Sequence, residues 1–323
     1  MRRDIEVSLK GDKEGMIGRE CPSSECNKYF KVLIAELNAF KLGTFFCPYC
    51  GESEPVKEFI TKDQMEYIKS LALREVVGEI SRELKKLERR PDPHAFISFG
   101  IKVDTPSIPV RTYVERELSK KVTCEKCGRE FRVYGTSFYC PYCGIRKPSS
   151  VFSENVEMVQ SFVNFKGTLR HDTETLHAVS KTGILDQLVE RSLDMLVTAF
   201  ETYCKTAYIQ QMKKKNPKLN IGSLQKVVKN AFQNLKTGNR LYARNLGINF
   251  LKILSTDDLT FALKSFQKRH VFVHNSGIID LTYAKLTGED KKLIGKRLTV
   301  DSAEINRLVK ILNEIVEHIE KSI

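Results

Sequence analysis

Four close pairs of cysteines constrain the fold of this chain more than any other feature of its sequence. They occupy the stretches CPSSEC, CPYC, CEKC and CPYC, and their members are Cys21, Cys26, Cys47, Cys50, Cys124, Cys127, Cys140 and Cys143. Such short spacings let two thiolates curl around one metal ion. In a chain expected to be cytosolic, eight paired cysteines out of nine predict metal ligands and not disulfides.

The pairs belong to an internal repeat. TFFCPYCGESEPVKEF at 44–59 matches SFYCPYCGIRKPSSVF at 137–152, and FKV after Cys26 matches FRV after Cys127. Each unit therefore reads as a cysteine knuckle, a strand, a turn and a second knuckle. This order predicts two four-cysteine zinc ribbons, each folded around one structural zinc ion. Three glycines directly follow a cysteine, where a tight turn often needs a positive φ, and they are Gly51, Gly128 and Gly144.

Two alternatives apply to the cysteines. Redox-active CxxC pairs need one pair beside the start of a helix, and they leave the duplication unexplained. Iron–sulfur ligation has no support in the spacing. The ninth cysteine, Cys204, lies in an apolar helical pattern, which predicts a buried thiol.

The segment between the ribbons is expected to serve recognition or assembly. Thr61 and Gln64 form a capping box that starts a long amphipathic helix. Its apolar positions are Met65, Ile68, Leu71, Val76, Ile80, Leu84 and Leu87. FISFGIKV at 96–103 predicts a strand, and a short charged helix is expected from Tyr113 to Lys120. We find no catalytic constellation in this half.

Helical periodicity dominates after residue 151. We expect helices over 184–212, 223–235 and 301–319, and another that begins after STDD at 255–258 and runs into KRHVFVHNSG at 268–277. The predicted fold class is α+β and multidomain. Zinc ribbon 1 takes residues 1–60, a linking helix and strand segment 61–120, and zinc ribbon 2 121–152. A connecting segment takes 153–182 and an all-α helical bundle 183–323.

Charge and composition indicate a polyanion partner. The formal net charge is +13 with a pI near 9.2. We expect this excess to be spread over the chain, as about +5 before residue 151 and about +8 after it. Such a basic surface is typical of nucleic-acid binding, and a simple solubility bias is the alternative. No stretch approaches the roughly 18 apolar residues of a membrane span, and the N-terminal sequence lacks a signal-peptide core, so we expect a cytoplasmic protein without a membrane partner.

Arg269, His270 and His274 lie within six residues of a predicted helix, and the two histidines share a face. With Asn275 they resemble the signature of HEPN-domain ribonucleases, in which an arginine, a polar residue and three further residues precede a histidine on a helix of an all-α bundle. The resemblance covers about residues 183–323. The ribbon half resembles no family that we can name.

The resemblance implies an endoribonuclease that needs no metal for catalysis and that forms one composite site from two motifs, in a homodimer or a higher even oligomer. His274 would be the acid/base group, because the ordinary pKa of histidine lies near neutral pH. Arg269 would hold the scissile phosphate of RNA. His270 would orient the phosphate or the partner histidine, and Asn275 would donate a supporting hydrogen bond. Such nucleases often serve defence or toxin systems, and here a protein or nucleic-acid trigger would act through the ribbons.

Plainer interpretations of the motif also stand. Arginine and histidine near a helix end stabilise its terminal carbonyls. A His-x-x-x-His pair can bind metal, although the residue after His270 is Val271 and the glutamate of a zinc hydrolase is absent. Many HEPN-like bundles only dimerise or dock. The main alternative is therefore a non-catalytic zinc-ribbon nucleic-acid-binding protein whose bundle dimerises. A scaffold without nucleic acid would leave the positive charge unexplained.

Overall fold

The structure is a computed structural model that describes residues 7–40, 43–88, 102–104, 107–118, 120–168, 177, 179, 181–220, 224 and 227–323. It divides into two compact units, Met1–Arg146 and Lys147–Ile323, which we call the ribbon unit and the helical unit. Small antiparallel sheets lie in the first unit, whereas the core of the second is built from helices. The predicted mixture of β-units and a helical part is therefore confirmed at this level.

Among its described residues the ribbon unit has eight short strands. They are β1 (Met16–Glu20), β2 (Tyr29–Leu33), β3 (Thr44–Phe46), β4 (Ser53–Pro55), β5 (Lys120–Thr123), β6 (Glu130–Val133), β7 (Tyr139–Cys140) and β8 (Gly144–Ile145). Strands β1, β2, β6 and β5 form one antiparallel sheet in that order, while β3 pairs with β4 and β7 with β8. The described part of this unit also contains the helices α1 (Ile34–Ala39) and α2 (Lys62–Lys85).

The two repeats pair with each other across an approximate twofold axis. Strand β2 of the first repeat lies beside β6 of the second, and Lys31 is opposite Arg132. These two residues hold equivalent places in FKV and FRV, so the axis passes between them. The CPYC turns obey the same symmetry, because the Phe46 N–H donates to the Pro141 carbonyl at 2.9 Å and the Tyr139 N–H to the Pro48 carbonyl at 3.1 Å. The predicted ribbons are thus two halves of one unit.

A single hydrophobic core joins the halves. Phe30 and Phe45 from the first repeat stack with ring centroids 6.0 Å apart, and Tyr142 from the second meets Phe45 edge-on at 5.5 Å. The buried members of this cluster come from both repeats and include four of the paired cysteines, Cys21, Cys47, Cys124 and Cys140. Neither repeat buries its aromatic residues without the other.

Two acidic residues before β1 neutralise the cations at the axis. The buried Lys31 ammonium donates to the Asp12 carboxylate at 2.7 Å, and Arg132 pairs with Glu14. Burial acts to raise the pKa of Asp12, but the Lys31 ammonium and two backbone N–H groups together lower it. The segment before β1 is thereby tied to both repeats.

Helix α2 forms as predicted. Its capping box is complete, since Thr61 Oγ1 accepts from the Gln64 N–H at 3.1 Å and the Thr61 N–H donates to Gln64 Oε1 at 3.3 Å. The far end of its apolar stripe is not buried within the described structure. Val76, Ile80, Leu84 and Leu87 are each more than two-fifths exposed.

The expected helix from Tyr113 to Lys120 is wrong. Residues 107–118 are not helical, and β5 begins at Lys120. The Glu115 carboxylate accepts from the Gly18 N–H at 2.7 Å and from Gln64 Nε2 at 3.0 Å. These contacts to distant parts of the chain replace the local hydrogen bonds of a helix. The strand expected at 96–103 lies largely outside the described residues, and the described end of it, 102–103, is not in a strand.

The helical unit has six α-helices among its described residues. They are α3 (Pro148–Thr168), α4 (Ile184–Lys215), α5 (Leu235–Leu246), α6 (Thr256–His274), α7 (Leu281–Thr287) and α8 (Ser302–Ser322). Three of the four expected helices correspond to α4, α6 and α8. The structure packs α3, most of which was assigned to a connecting segment, into the core, where Phe152 meets Phe200 edge-on at 6.2 Å. Cys204 is fully buried there, as predicted.

Helix α5 was not expected. The predicted helix over 223–235 falls partly outside the described residues, and the described part ends in a turn and a short 3-10 helix, Ala231–Gln233. Helix α5 then starts at Asn234, whose side chain accepts from the Thr237 N–H at 3.1 Å. Tyr242 anchors it by donating to the buried carbonyl of Cys204 at 2.7 Å. Among the described helices of the whole chain, none is long and apolar enough to cross a membrane.

Gly51→Ala should destabilise the ribbon unit. Gly51 has φ of +80°, and a Cβ there would lie 2.5 Å from the Tyr139 ring of the other repeat. We expect a loss of about 1–3 kcal/mol in the free energy of unfolding of the metal-loaded protein, measured by denaturant titration. Gly78→Ala is the matched control, because Gly78 lies inside α2 with nothing within 4 Å of the added carbon, and it should stabilise by about 0.5–1 kcal/mol. Equal effects of the two substitutions would contradict the described contact between repeats.

Candidate metal centres and active site

The first four-cysteine group joins two turns of the ribbon unit. Cys21 and Cys26 lie between β1 and β2, and Cys47 and Cys50 lie between β3 and β4. The Cys21 and Cys50 sulfurs are 3.5 Å apart, and the Cys26 and Cys47 sulfurs are 3.8 Å apart. All four sulfurs lie within 4.8 Å of one another. The group is therefore positioned to bind one metal ion.

The second group has the same arrangement. Cys124 and Cys127 come from the turn between β5 and β6, Cys140 ends β7, and Cys143 lies in the turn between β7 and β8. The Cys124 and Cys143 sulfurs are 3.5 Å apart, and the Cys127 and Cys140 sulfurs are 3.6 Å apart. The Lys126 N–H donates to Cys124 Sγ at 3.4 Å, a contact that stabilises a thiolate. This set also can hold one ion.

These distances fit a tetrahedral metal. Zinc–sulfur bonds of about 2.3 Å in a tetrahedron give sulfur–sulfur edges of about 3.8 Å, whereas a disulfide needs about 2.05 Å. All nine cysteines are free thiols. In each group the contacts of 3.5–3.8 Å bring together sulfurs of both knuckles, as one shared metal ion requires. Gly51, Gly128 and Gly144 have φ of +80°, +72° and +79°, so the predicted positive φ at all three is confirmed.

The histidine motif lies at the end of α6. Ser255 caps the start of this helix by accepting from the Asp258 N–H at 3.0 Å, and the buried Phe266 and Val271 anchor its inner face. His270 and His274 are both exposed, and their ring centroids are 4.6 Å apart. The shared face predicted for the two histidines is therefore present.

Arg269 is held by α4. Its Nε donates to Asp194 Oδ1 at 2.9 Å, and its Nη2 lies 3.4 Å from Thr198 Oγ1. The arginine side chain is only 15% exposed. The anion that faces Arg269 within this chain is thus a carboxylate, which the sequence analysis did not identify.

Glu201 completes a polar strip on α4. Asp194, Thr198 and Glu201 follow one another at intervals of four and three residues, which places them on one face of the helix. Glu201 Oε1 is buried and has no hydrogen-bond partner among the described residues. Burial raises the pKa of Glu201; Arg269 opposes this shift and the Asp194 charge adds to it. The sequence signal for this strip is the spacing of its polar residues within the otherwise apolar pattern of α4.

Asn275 shapes the turn after the motif. It is the C-cap residue of α6, and its N–H donates to the Val271 carbonyl at 2.9 Å. Its side-chain Nδ2 donates to the Ile278 carbonyl at 2.5 Å. The Asn275 amide thus bonds to the backbone of the following turn, and the supporting hydrogen bond expected of it in a catalytic site stays a prediction.

A scan with protein-family models finds no match to this chain. Searches of curated proteins and of solved structures likewise return no match.

Glu201→Gln should stabilise the protein at neutral pH. The folded-state pKa of Glu201 is raised, so its ionised form destabilises the folded state above that pKa, and the effect fades as the pH falls and the carboxyl is protonated. We expect the variant to have a higher melting temperature than the parent at pH 7, with a difference that shrinks towards pH 4. Glu314→Gln, on an exposed position of α8, is the control and should show no such trend. A lower melting temperature for Glu201→Gln at pH 7 would contradict this description.

Proposed function

We propose that the helical unit is a metal-independent endoribonuclease of the HEPN type. One observation carries the proposal: two exposed imidazoles lie side by side, 4.6 Å apart, next to an arginine that α4 holds in place. Imidazole suits proton transfer near neutral pH, and a guanidinium suits a phosphate. The net charge of +13 is consistent with an RNA substrate.

The chemistry follows from these groups. One imidazole removes the proton of a ribose 2′-hydroxyl, whose oxygen attacks the adjacent phosphorus. The bond from phosphorus to the 5′-oxygen breaks, and that oxygen takes a proton from an imidazolium. The products are a 2′,3′-cyclic phosphate and a 5′-hydroxyl end. His274 is the principal acid/base group, and His270 orients the phosphate or the partner histidine.

Arg269 stabilises the charge that builds on the phosphate. Asp194 engages its Nε and Thr198 lies beside its Nη2. Within the described residues, its Nη1 has no hydrogen-bond partner and remains a donor for a phosphate oxygen. Asp194 therefore acts as a positioning residue for Arg269. In the composite form of the site, two chains bring their motifs together in a homodimer or a higher even oligomer.

The ribbon unit would hold two zinc ions with structural roles. Its eight thiolates supply two complete ligand sets, and the repeats share one core. Closed four-sulfur sites contribute to folding and leave no position open for catalysis. The unit would recognise a protein or nucleic-acid trigger of the nuclease.

A second function is favoured by the Arg269 ion pair. In this second function the guanidinium of Arg269, which is 15% exposed and bound to Asp194, ties α6 to α4 and contacts no RNA. The helical unit would then be a non-catalytic bundle that dimerises a nucleic-acid-binding protein. The two functions differ in whether the histidines matter for RNA cleavage.

Purified protein should cut RNA in the presence of EDTA, and His274→Ala should lower the rate at least about a hundredfold. The products should carry a 2′,3′-cyclic phosphate, and all-DNA strands should stay intact. Cleavage is read within minutes of adding EDTA, before metal loss can unfold the ribbon unit. His318→Ala is the matched control, because His318 lies on α8 outside the motif, and it should cut like the parent. If His274→Ala cuts as fast as His318→Ala, the binding-module function applies.

Metal content gives a separate prediction for the ribbon unit. Elemental analysis should find about two zinc ions per chain. Because the two sites share a core, Cys47→Ser should also make the second site lose zinc at a lower chelator concentration. Cys204→Ser is the control, since Cys204 is a buried thiol outside both groups, and it should keep both ions. Iron in place of zinc, or an unchanged second site in Cys47→Ser, would contradict this assignment.

A further inference from the structure

The positive charge of this chain is concentrated in one internal segment. The 55 residues from Thr202 to Thr256 contain eleven lysines and arginines and no aspartate or glutamate. The other residues contain 42 basic and 40 acidic side chains, which nearly cancel. The excess of positive charge is therefore not spread over the chain, and that expectation is wrong. Comparing the net charges of the two halves of the chain conceals the concentration in one segment.

The described part of this segment includes the end of α4 and all of α5. Lys236, Arg240 and Arg244 are exposed on α5 at intervals of four residues, which places them on one face with a rise of about 6 Å between neighbours. The opposite face of α5 is anchored in the core by Leu235 and Tyr242. The helix thus presents a row of three cations to solvent.

The end of α4 extends this row. Lys214 and Lys215 are exposed in its last turn, and Lys218 is exposed in the loop that follows. Lys215 Nζ donates to the Asn245 carbonyl at 2.9 Å, which brings the end of α4 beside the end of α5. We call these six residues the basic surface: Lys214, Lys215, Lys218, Lys236, Arg240 and Arg244.

No carboxylate compensates the basic surface. In the described part of the chain, none of its six cations forms an ion pair, and Arg240 bonds only to the Lys236 carbonyl and to Thr237 Oγ1. Several other cations of the same unit are paired, as in Lys268 with Glu304 and Arg297 with Glu190. Six unpaired like charges repel one another unless an anion lies among them.

We propose that the basic surface binds the phosphate backbone of an RNA strand, independently of its sequence. The identity of the polyanion as RNA rests on the proposed function, whereas the site itself rests on charge and geometry. An anionic membrane fits less well, because an interfacial helix needs a free apolar face and that of α5 is buried in the core. The described aromatic residues of the 202–256 segment, such as Phe232 and Tyr242, are buried, and repeated cations without exposed rings favour contact with phosphates over stacking on bases.

The basic surface is distant from the histidine motif. Lys213 directly precedes the basic surface on α4, and Asp194 on the same helix holds Arg269. The two residues are 19 positions apart on this continuous helix, which is about 28 Å at 1.5 Å per residue. This distance corresponds to about eight stacked nucleotides at about 3.4 Å each. The surface therefore holds the strand away from the scissile bond, and its loss should raise KM and leave kcat nearly unchanged.

The test measures binding without cleavage, in a His274→Ala background, with a fluorescent 20-nucleotide single-stranded RNA. Lys236→Gln, Arg240→Gln and Arg244→Gln together should weaken binding at least tenfold at about 0.1 M salt. In a plot of log affinity against log salt, the magnitude of the slope should fall by about 2, because each of the three lost phosphate contacts contributes about 0.7. The matched control replaces Lys291, Lys292 and Lys310 by glutamine, three exposed lysines of the helical unit outside the basic surface and the histidine motif; it removes the same charge and should leave the slope unchanged.

Each outcome is decisive. The proposal is overturned if both triple variants lose RNA affinity equally. It is also overturned if the slope of log affinity against log salt is unchanged in the α5 variant. If the α5 variant loses binding to phosphatidylserine vesicles but still binds RNA like the parent, the assignment of the polyanion to RNA is overturned. If the α5 variant fails to fold, Lys214→Gln with Lys218→Gln is used, and its slope should fall by about 1.4. A chain that binds through this surface and never cuts RNA contradicts the proposed function and supports this inference.

Discussion

The pairing of β2 with β6 determines the architecture of the ribbon unit. It places Lys31 opposite Arg132 at the centre of an approximate twofold axis, and it brings the aromatic residues of both repeats into one core. Each repeat by itself has too little apolar area for a stable fold. Each half carries a four-cysteine group positioned to hold a metal ion, and the strand pairing joins the two halves. The two four-cysteine groups are therefore coupled through protein packing although no cysteine is shared between them.

A different constraint organises the helical unit. Helix α4 spans Ile184–Lys215 and carries a carboxylate that holds Arg269 near one end and the start of the basic surface at the other. The same helix therefore supports both proposed contacts with RNA. Glu201, half-buried beside Arg269 with one oxygen unpaired among the described residues, adds negative charge there. The site is thus a local balance of charges, and a bound phosphate would compete with two carboxylates for one guanidinium.

Much of this could be predicted from the sequence because the signals were local. Cysteine spacing predicted both metal groups, a capping box predicted α2, and helical periodicity predicted α4, α6 and α8. The failures concern contacts between residues far apart in the chain. Glu115 keeps its segment extended through bonds to Gly18 and Gln64. The pairing of the repeats depends on strands about 100 residues apart. Asp194 meets Arg269 only once α4 and α6 pack together.

The most direct test of the central claim removes one oxygen from the substrate. After the cut sites of an RNA have been mapped, the ribose on the 5′ side of one cut is replaced by its 2′-deoxy form. Attack by the neighbouring 2′-hydroxyl predicts that cleavage at this bond is abolished while the other sites are still cut. Continued cleavage at the deoxy position, or no cleavage of any RNA by the unmodified protein, would contradict the assignment of His274 and Arg269 to a ribonuclease site.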